Sequence, residues 1–492
     1  MKTLNNDMLA ALRGKLVVPE FDRTKLTSSV VHIGVGNFHR AHQAYFLQQL
    51  MEKTHETCWG IYGVGVLDQD KKLSHALNAQ DCLYTLTEKS DTQTARDIVV
   101  GSLLSHRILS ESRHEIIAKI AHPDTTLITF TVTEGGYNID DTTGEFLIDN
   151  PLIQADLNNP AEPHTFYGLL YAALRQRKKA GIVPPDLLSC DNVEMNGAVL
   201  KKGMLAYAKQ QDPDMAQWIE EHVAFPNAMV DRITPVTSAE DREYVQQQYD
   251  YLDNCPVPCE PFILWVIEDT FKRKRPALEK LDHVLLVSDV RPYEKMKMRL
   301  LNAGHVLFAH IALMEGHRFA CDFMNAFPFD RAIETMMLKE ALPCVGEVVG
   351  MDVMEFLNNT LLRFKNRAIK DQTERLANFT SERAPKFTLP TIADNILRNE
   401  KMSPLLTLGT AGWCYYLSRN DGVVDKMAAT LIEKARRAVT GKGRVFIQEL
   451  ETIFPEVLRQ NEPFLVLFDK ALSTIQAQGP AAAISKFLKE YY

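Results

Sequence analysis

The chain reads as an α/β protein in two parts: an amino-terminal domain on a parallel sheet, residues 1–289, and a largely α-helical carboxy-terminal domain, residues 290–492. Three observations predict this. In the first half, short β-branched runs alternate with helical stretches, the pattern of strand–helix units. After Asp289 that alternation stops, and long patterns of helical period take over. The 492 residues, 46% of them apolar, suffice for two or more separate cores.

Taken in order, the candidate strands are Ser29–Ile33, Trp59–Val64, Asp97–Leu103, Thr126–Val132, Leu187–Ser189 and His283–Val287. Between the first two, His42–Lys53 places Ala44, Phe46, Leu47, Leu50 and Met51 at helical spacing. Ser288 or Asp289 caps a helix entered through Pro292, a residue suited to the first turn. A short extended piece near Phe387–Leu389 is the one break expected in the helical half.

Composition excludes several classes. With 55 Lys and Arg against 63 Asp and Glu, the net charge is −8, which disfavours general binding to nucleic acid or an anionic membrane. The basic run Lys272–Arg275 reads as a solvated loop or helix end. The apolar stretch Val306–Met314 is interrupted by His310 and falls short of the ~20 residues of a spanning helix. Residues 1–7 lack the apolar core of a signal peptide. Eight cysteines in so long a chain are no disulfide scaffold, and no second pair completes a zinc site beside Cys255 and Cys259. The expectation is a cytoplasmic, reduced, metal-free protein.

The first strand runs into Gly34-Val-Gly36-Asn-Phe38-His39-Arg40-Ala-His42. In a Rossmann-type site the first glycine makes the tight turn, and the second lets a pyrophosphate approach the backbone at a helix start. His39 stands where the third glycine belongs, and a plain strand-to-helix turn would use the same residues. The second strand ends in Gly65-Val-Leu-Asp68-Gln69-Asp70, where a carboxylate can accept from a ribose 2′-hydroxyl and repel a 2′-phosphate. Asp70, or failing that Asp68, therefore favours NAD over NADP, with a solvated turn as the alternative. The fourth strand ends in Thr133-Glu134-Gly-Gly-Tyr137, suited to a loop lining the cofactor. Arg40 or a backbone amide serves the phosphates. His39 and His42 lack the further ligands that a metal would need.

The stretch Glu294-Lys-Met-Lys297-Met-Arg-Leu-Leu-Asn302-Ala-Gly-His305 carries the chemistry. At about 100° per residue from Lys297, Glu294 falls near 60°, Asn302 near 140° and His305 near 80°, within one sector of ~140° that Leu301 also shares. Oxidising a carbinol needs a base for its hydroxyl proton, and a lysine serves if desolvation or a nearby cation lowers its pKa. Amide donors stabilise the developing alkoxide, and Asn192, after a strand end, offers a second one. A structural polar face is the competing reading. Asp231-Arg232, set among apolar residues, reads as a buried salt bridge or a site pair.

Together these motifs resemble the long-chain mannitol dehydrogenase family of polyol and sugar-acid dehydrogenases. The likeness rests on Gly34-x-Gly36-x-Phe38-His39-Arg40, Thr133-Glu134-Gly-Gly-Tyr137, Ser189-Cys-Asp-Asn192, Met229-Val-Asp231-Arg232, and Lys297 followed by Asn302 and His305. Cys259–Phe262, Trp265–Asp269 and Pro385–Phe387 extend it. The resemblance implies a metal-independent enzyme whose site lies in the cleft between a Rossmann-type domain and a helical domain. It implies reversible NAD-dependent oxidation of D-mannitol to D-fructose. Lys297 is then the general base, Asn192 and Asn302 the oxyanion hole, and Glu294 a proton relay. His305, Asp231, Arg375 and Arg383 contact the substrate. Gly34, Gly36, Phe38, Arg40, Asp70, Thr133 and Glu134 hold NAD.

Departures are Arg383 where mannitol enzymes tend to carry Lys, Gln69 in place of an acid, and Asn37 and Ala303 in place of smaller residues or glycine. The expected partner is a small polyol or keto sugar, with no nucleic acid or membrane, and the chain is a monomer or homodimer. Competing readings are a keto sugar acid reductase of the fructuronate or tagaturonate type and a noncatalytic NAD-binding sensor.

Overall fold

The computed structural model describes residues 2–140, 143–398 and 400–492. It divides into two compact units, one ending at Arg291 and the other beginning at Pro292.

The first unit is organised by a five-stranded sheet of β1 Val30–Ile33, β2 Ile61–Gly65, β3 Leu103–Ile108, β4 Leu127–Phe130 and β5 Asp186–Ser189. Their order is β3-β2-β1-β4-β5, and every neighbouring pair is parallel. The chain steps outward from β1 to β3, then returns to the other side of β1 for β4, so the order reverses between β1 and β4. Open sheets of this kind bind ligands outside the carboxyl ends at that reversal.

The sequence explains why both faces are covered. Along β1, Val30 joins one buried cluster while Val31 and Ile33 join another, the two-residue period of a strand. Ile61, Leu127 and Leu188 repeat the first side, and Val64, Ile128 and Leu187 the second. A strand buried on both faces carries apolar residues on both, as Val30-Val31, Leu127-Ile128 and Leu187-Leu188 do. Gln43–Thr54 contributes to the first cluster, and Phe166–Ala180 and Asn196–Gln211 contribute to the second.

Three expectations need correction. The single strand expected over Asp97–Leu103 is two: Arg96–Val100 pairs antiparallel with Tyr84–Glu88, and only then does β3 join the main sheet. Gly101 and Ser102 separate them, with the Gly101 amide held by the Gln48 side chain at 2.7 Å. Leu264–Glu268 lies between Val284–Val287, parallel, and Ala228–Asp231, antiparallel, so the last expected strand belongs to this small sheet. Finally, Phe387–Leu389 is not extended. Thr380–Phe387 and Leu389–Arg398 are consecutive helices, and Pro385 sits inside the first.

The second unit is helical, and its described residues add only an isolated bridge between Phe319 and Gln372. At its entrance Asp289 accepts from the Arg291 amide at 3.0 Å. Ala303–Met314 is apolar nearly all round and almost wholly buried, which marks a central helix. It packs on Pro404–Arg419 through two glycines. A Cβ at Gly409 would lie 2.8 Å from Leu307 Cβ, and one at Gly412 would lie 2.4 Å from Ile311 Cγ1. Among the described residues no helix is long and apolar enough to cross a membrane.

Candidate active site

The glycine turn leaves β1 at the strand reversal. Gly34 has φ +95°, and a Cβ there would lie 2.2 Å from the Thr131 carbonyl oxygen, so only glycine lets β1 pass the end of β4. Gly36 differs. A Cβ there would meet only the Gly34 carbonyl, at 3.9 Å, so packing does not require glycine. That open space is what an approaching diphosphate uses in a Rossmann-type turn, and the residues present fit a dinucleotide.

His39 replaces the third glycine by stacking. Its ring lies 3.4 Å from the His32 ring at 11°, and His32 in turn contacts the Thr129 and Thr131 hydroxyls at 2.7 and 2.9 Å. Burial pushes His32 down to about 3 and His39 well below its ordinary value, so both rings pack as neutral groups. His42 meets the Leu264 carbonyl at 3.0 Å. Phe38 is half-buried, 5.0 Å from the His42 ring. Among the described residues no group of three or more His, Cys, Asp or Glu is placed to hold a metal ion.

Arg40 turns into the fold. Its side chain is buried and donates to the Gly36 and Cys255 carbonyls and to Asn37 Oδ1, with its guanidinium 5.1 Å over the Tyr84 ring. The residue braces the turn from behind.

After β2 the chain closes a short turn, Asp68–Asp70. Asp68 is paired with Lys71 at 2.9 Å and bonded by the Ser110 hydroxyl at 3.0 Å. Asp70 accepts from the Leu67 amide at 3.0 Å and, among the described residues, has no cation partner. Gly65 makes room for it, since a Cβ there would lie 2.8 Å from the Asp70 Cβ. Of the two carboxylates, Asp68 is engaged by a cation, whereas Asp70 is held by a backbone amide.

Beyond β4, Thr133–Gly136 forms one helical turn, with Thr133 and Glu134 exposed. Thr133 has φ +64°, a conformation that a β-branched residue holds only when its surroundings fix it. The group that fixes it is Asp191, which the sequence shows only as part of the Ser189-Cys-Asp-Asn192 motif, with no role attached. Exposed Asn192 follows directly. Asp231, buried, ends its strand opposite Leu264. Arg232 pairs with Glu88 and donates to the Glu260 and Ala41 carbonyls, so the ion pair of this stretch joins Arg232 to a distant acid.

In the second unit, Glu294 and Lys297 lie on the helix Arg291–Lys297, both buried. Met298–Asn302 is a π-helical turn, closed by the Ala303 amide on the Met298 carbonyl, and Ala303–Met314 resumes the α-helix with His305. A turn closed over five residues carries one more residue than an α-turn. Asn302, five after Lys297, is therefore brought back toward the lysine's line instead of lying ~140° away as an unbroken α-helix would place it. Arg299, inside this turn, anchors it to Thr391 Oγ1 at 2.8 Å and Asp394 Oδ2 at 3.1 Å.

His305 is half-buried, and its ring meets Phe364 edge-on at 4.9 Å. Desolvation first, then the charges of Arg375, Arg383 and Arg363, push it down to about 3, so it is a neutral hydrogen-bonding group. Arg375 is held by both oxygens of Asp371 at 2.6–2.9 Å, a carboxylate absent from the sequence reading, and its carbonyl accepts from Arg383 at 3.1 Å.

A parallel sheet in this order, with glycine and acidic turns at its carboxyl edge, defines the class when one chain also carries a lysine, an amide and an imidazole along one helical run. It is a Rossmann-type, dinucleotide-dependent oxidoreductase. Residues 28–280 match the mannitol dehydrogenase Rossmann domain, and residues 289–476 match the mannitol dehydrogenase C-terminal domain. A mannitol dehydrogenase of Saccharomyces cerevisiae is 37% identical, covering 99% of this chain and 98% of its own. Mannitol 2-dehydrogenase of Pseudomonas fluorescens, solved in ternary complex with NAD and D-mannitol, superposes with a TM-score of 0.88 at 36% identity over 100% of both chains. A substrate-free D-sorbitol dehydrogenase follows with a TM-score of 0.86 at 32% identity, over 98% of this chain and 100% of that one. The chain belongs to the mannitol dehydrogenase family.

Proposed function

We propose that this chain is a mannitol 2-dehydrogenase that oxidises D-mannitol to D-fructose with NAD and runs the reverse reduction through the same groups. The observation that carries the reading is its likeness, end to end, to an enzyme solved with NAD and D-mannitol.

Bound NAD supplies the hydride acceptor. Lys297 takes the hydroxyl proton as the general base. The Asn192 and Asn302 amides donate to the oxygen as it gains alkoxide character. Neutral His305 hydrogen-bonds the polyol, and Asp231 accepts from one of its hydroxyls. Glu294, one helical turn before Lys297, passes the proton onward. Arg375 and Arg383 meet the far end of the substrate. Backbone amides around Gly34 and Gly36 hold the diphosphate, with Phe38, Thr133 and Glu134 lining the cofactor and Asp70 the ribose. No metal takes part. We place the enzyme in the cytoplasm, as a monomer or homodimer acting on a small polyol.

The bidentate hold of Asp371 on Arg375 argues for a neutral substrate, because a sugar-acid carboxylate would compete with Asp371 for the same guanidinium. Steady-state assays with mannitol, sorbitol and fructuronate, each with both nicotinamide cofactors, test the reading. Mannitol with NAD gives the highest kcat/KM if it is right. A keto sugar acid turned over more efficiently would overturn it.

A further inference from the structure

We infer that Asp191 is a positioning residue for the reaction, setting the cofactor-lining turn at Thr133 and the Asn192 amide as one unit. The inference rests on the oxidoreductase reading above and adds a residue that this reading does not use.

The carboxylate is clamped on both sides of its own backbone. Oδ2 accepts from the Val132 amide at 2.9 Å and from the Tyr137 hydroxyl at 2.6 Å, and Oδ1 accepts from the Thr133 amide at 2.9 Å. Two consecutive amides on one carboxylate impose the sharp bend at Thr133, whose φ of +64° no local preference of threonine supports. Behind it, the Asp191 carbonyl accepts from Asn196 Nδ2 at 3.0 Å. That same nitrogen donates to the Ala228 carbonyl at 2.7 Å, while the Ala228 amide donates to Asn196 Oδ1 at 2.9 Å. Ala228 begins the strand that ends in Asp231. One polar strut thus runs from the turn after β4, through the residue before Asn192, to the strand carrying Asp231.

The chemistry of the strut is costly for the fold alone. A buried carboxylate is disfavoured by desolvation, which pushes Asp191 up to about 6 even though Tyr137 and the two amides pull it down; Glu134 adds repulsion, and the Cys190 thiol lies beside it. The two amides bond to different oxygens, and an asparagine would put an NH2 donor in place of one of them, so this pair of amides specifies the carboxylate.

The experiment uses the full chain and measures two quantities, the NAD dissociation constant and single-turnover hydride transfer at saturating NAD and mannitol. Asp191→Asn should weaken NAD about tenfold and slow hydride transfer about 10–100-fold, the effect of losing one hydrogen bond to a charged group. Tyr137→Phe keeps both amide bonds and should move both quantities the same way by about 2–3-fold. In the Asn192→Ala background, Asp191→Asn should slow the step by much less than it does alone, because the two residues serve one donor. Unchanged binding and rate in Asp191→Asn would overturn the inference. So would full rate at saturating NAD, or losses that simply multiply in the double variant. If Asp191→Asn does not fold, an unaltered Tyr137→Phe overturns it. Should the wild type fail to oxidise mannitol, the functional reading falls, and the NAD arm alone still decides on Asp191.

Discussion

The two units present their chemistry in different ways. In the first, the candidate groups sit where strands stop: Gly34 after β1, Asp70 after β2, Thr133 after β4, and Asn192 after β5. Each was brought to the same edge by strand order alone, then trimmed by local devices such as the Gly65 gap or the Asp191 clamp. In the second, Glu294, Lys297, Asn302 and His305 follow one another along a single helical run, and their alignment depends on one irregular turn. A sheet edge gathers residues distant in sequence, whereas a helix aligns residues only if its pitch is right.

The contrast is broken most directly at Lys297. Lys297→Ala should leave NAD affinity nearly intact while turnover falls by about 10²–10⁴, with partial rescue by added primary amines. Activity near wild type would remove the helix from the chemistry. Asn302 tests the π turn itself. Its replacement by alanine should slow hydride transfer by about 10²–10³, as for one donor of an oxyanion hole, with little change in polyol affinity; a loss confined to binding would mean that the turn does not deliver the amide to the reacting oxygen.

On the sheet side, His39→Phe asks whether the histidine stack is packing. An imidazole whose folded pKa is depressed contributes stability above its unfolded value of about 6.5, and that stability is lost as pH falls toward the folded value. The phenylalanine variant should keep NAD affinity and lose about 2 kcal/mol less than wild type between pH 6.5 and 5, read from unfolding midpoints at the two pH values. An unaltered pH slope would show His39 to be charged in the fold. The smallest effect is at Asp70. Asp70→Ala should narrow the NAD-over-NADP efficiency ratio about tenfold, near the worth of one charge-assisted hydrogen bond, and a constant ratio would move cofactor selection to another group.

What could be read in the sequence follows the same division. Strand periodicity and the glycine spacing located β1, β2, β4 and β5, because burial on both faces leaves short apolar pairs such as Val30-Val31 and Leu187-Leu188. Arg96–Val100 and β3 merged into one expected strand, since two residues are too few to signal a change of sheet. The polar set on the catalytic helix was visible, but its alignment was not. Nothing in Met-Arg-Leu-Leu-Asn marks a π turn, which is held by Arg299 reaching Thr391 and Asp394 some ninety residues away. The bracing by Arg40 and the clamps of Asp191 and Asp371 were not legible in the sequence, for one reason. Whether a charged side chain faces a ligand or braces a backbone depends on partners far along the chain, and spacing carries no trace of them.

The two glycines under the central helix carry a further consequence. Gly409 and Gly412 seat Leu307 and Ile311 on the stretch that continues from His305, with no room for a methyl group. The run bearing the reactive groups is therefore fixed at its far end like a tuning fork in its stem. Its pitch can be adjusted from Pro404–Arg419, a helix that contributes none of the proposed reactive groups. Variation there would be invisible to any search for site residues, yet it would alter the spacing of lysine, amide and imidazole together and leave each of them chemically intact.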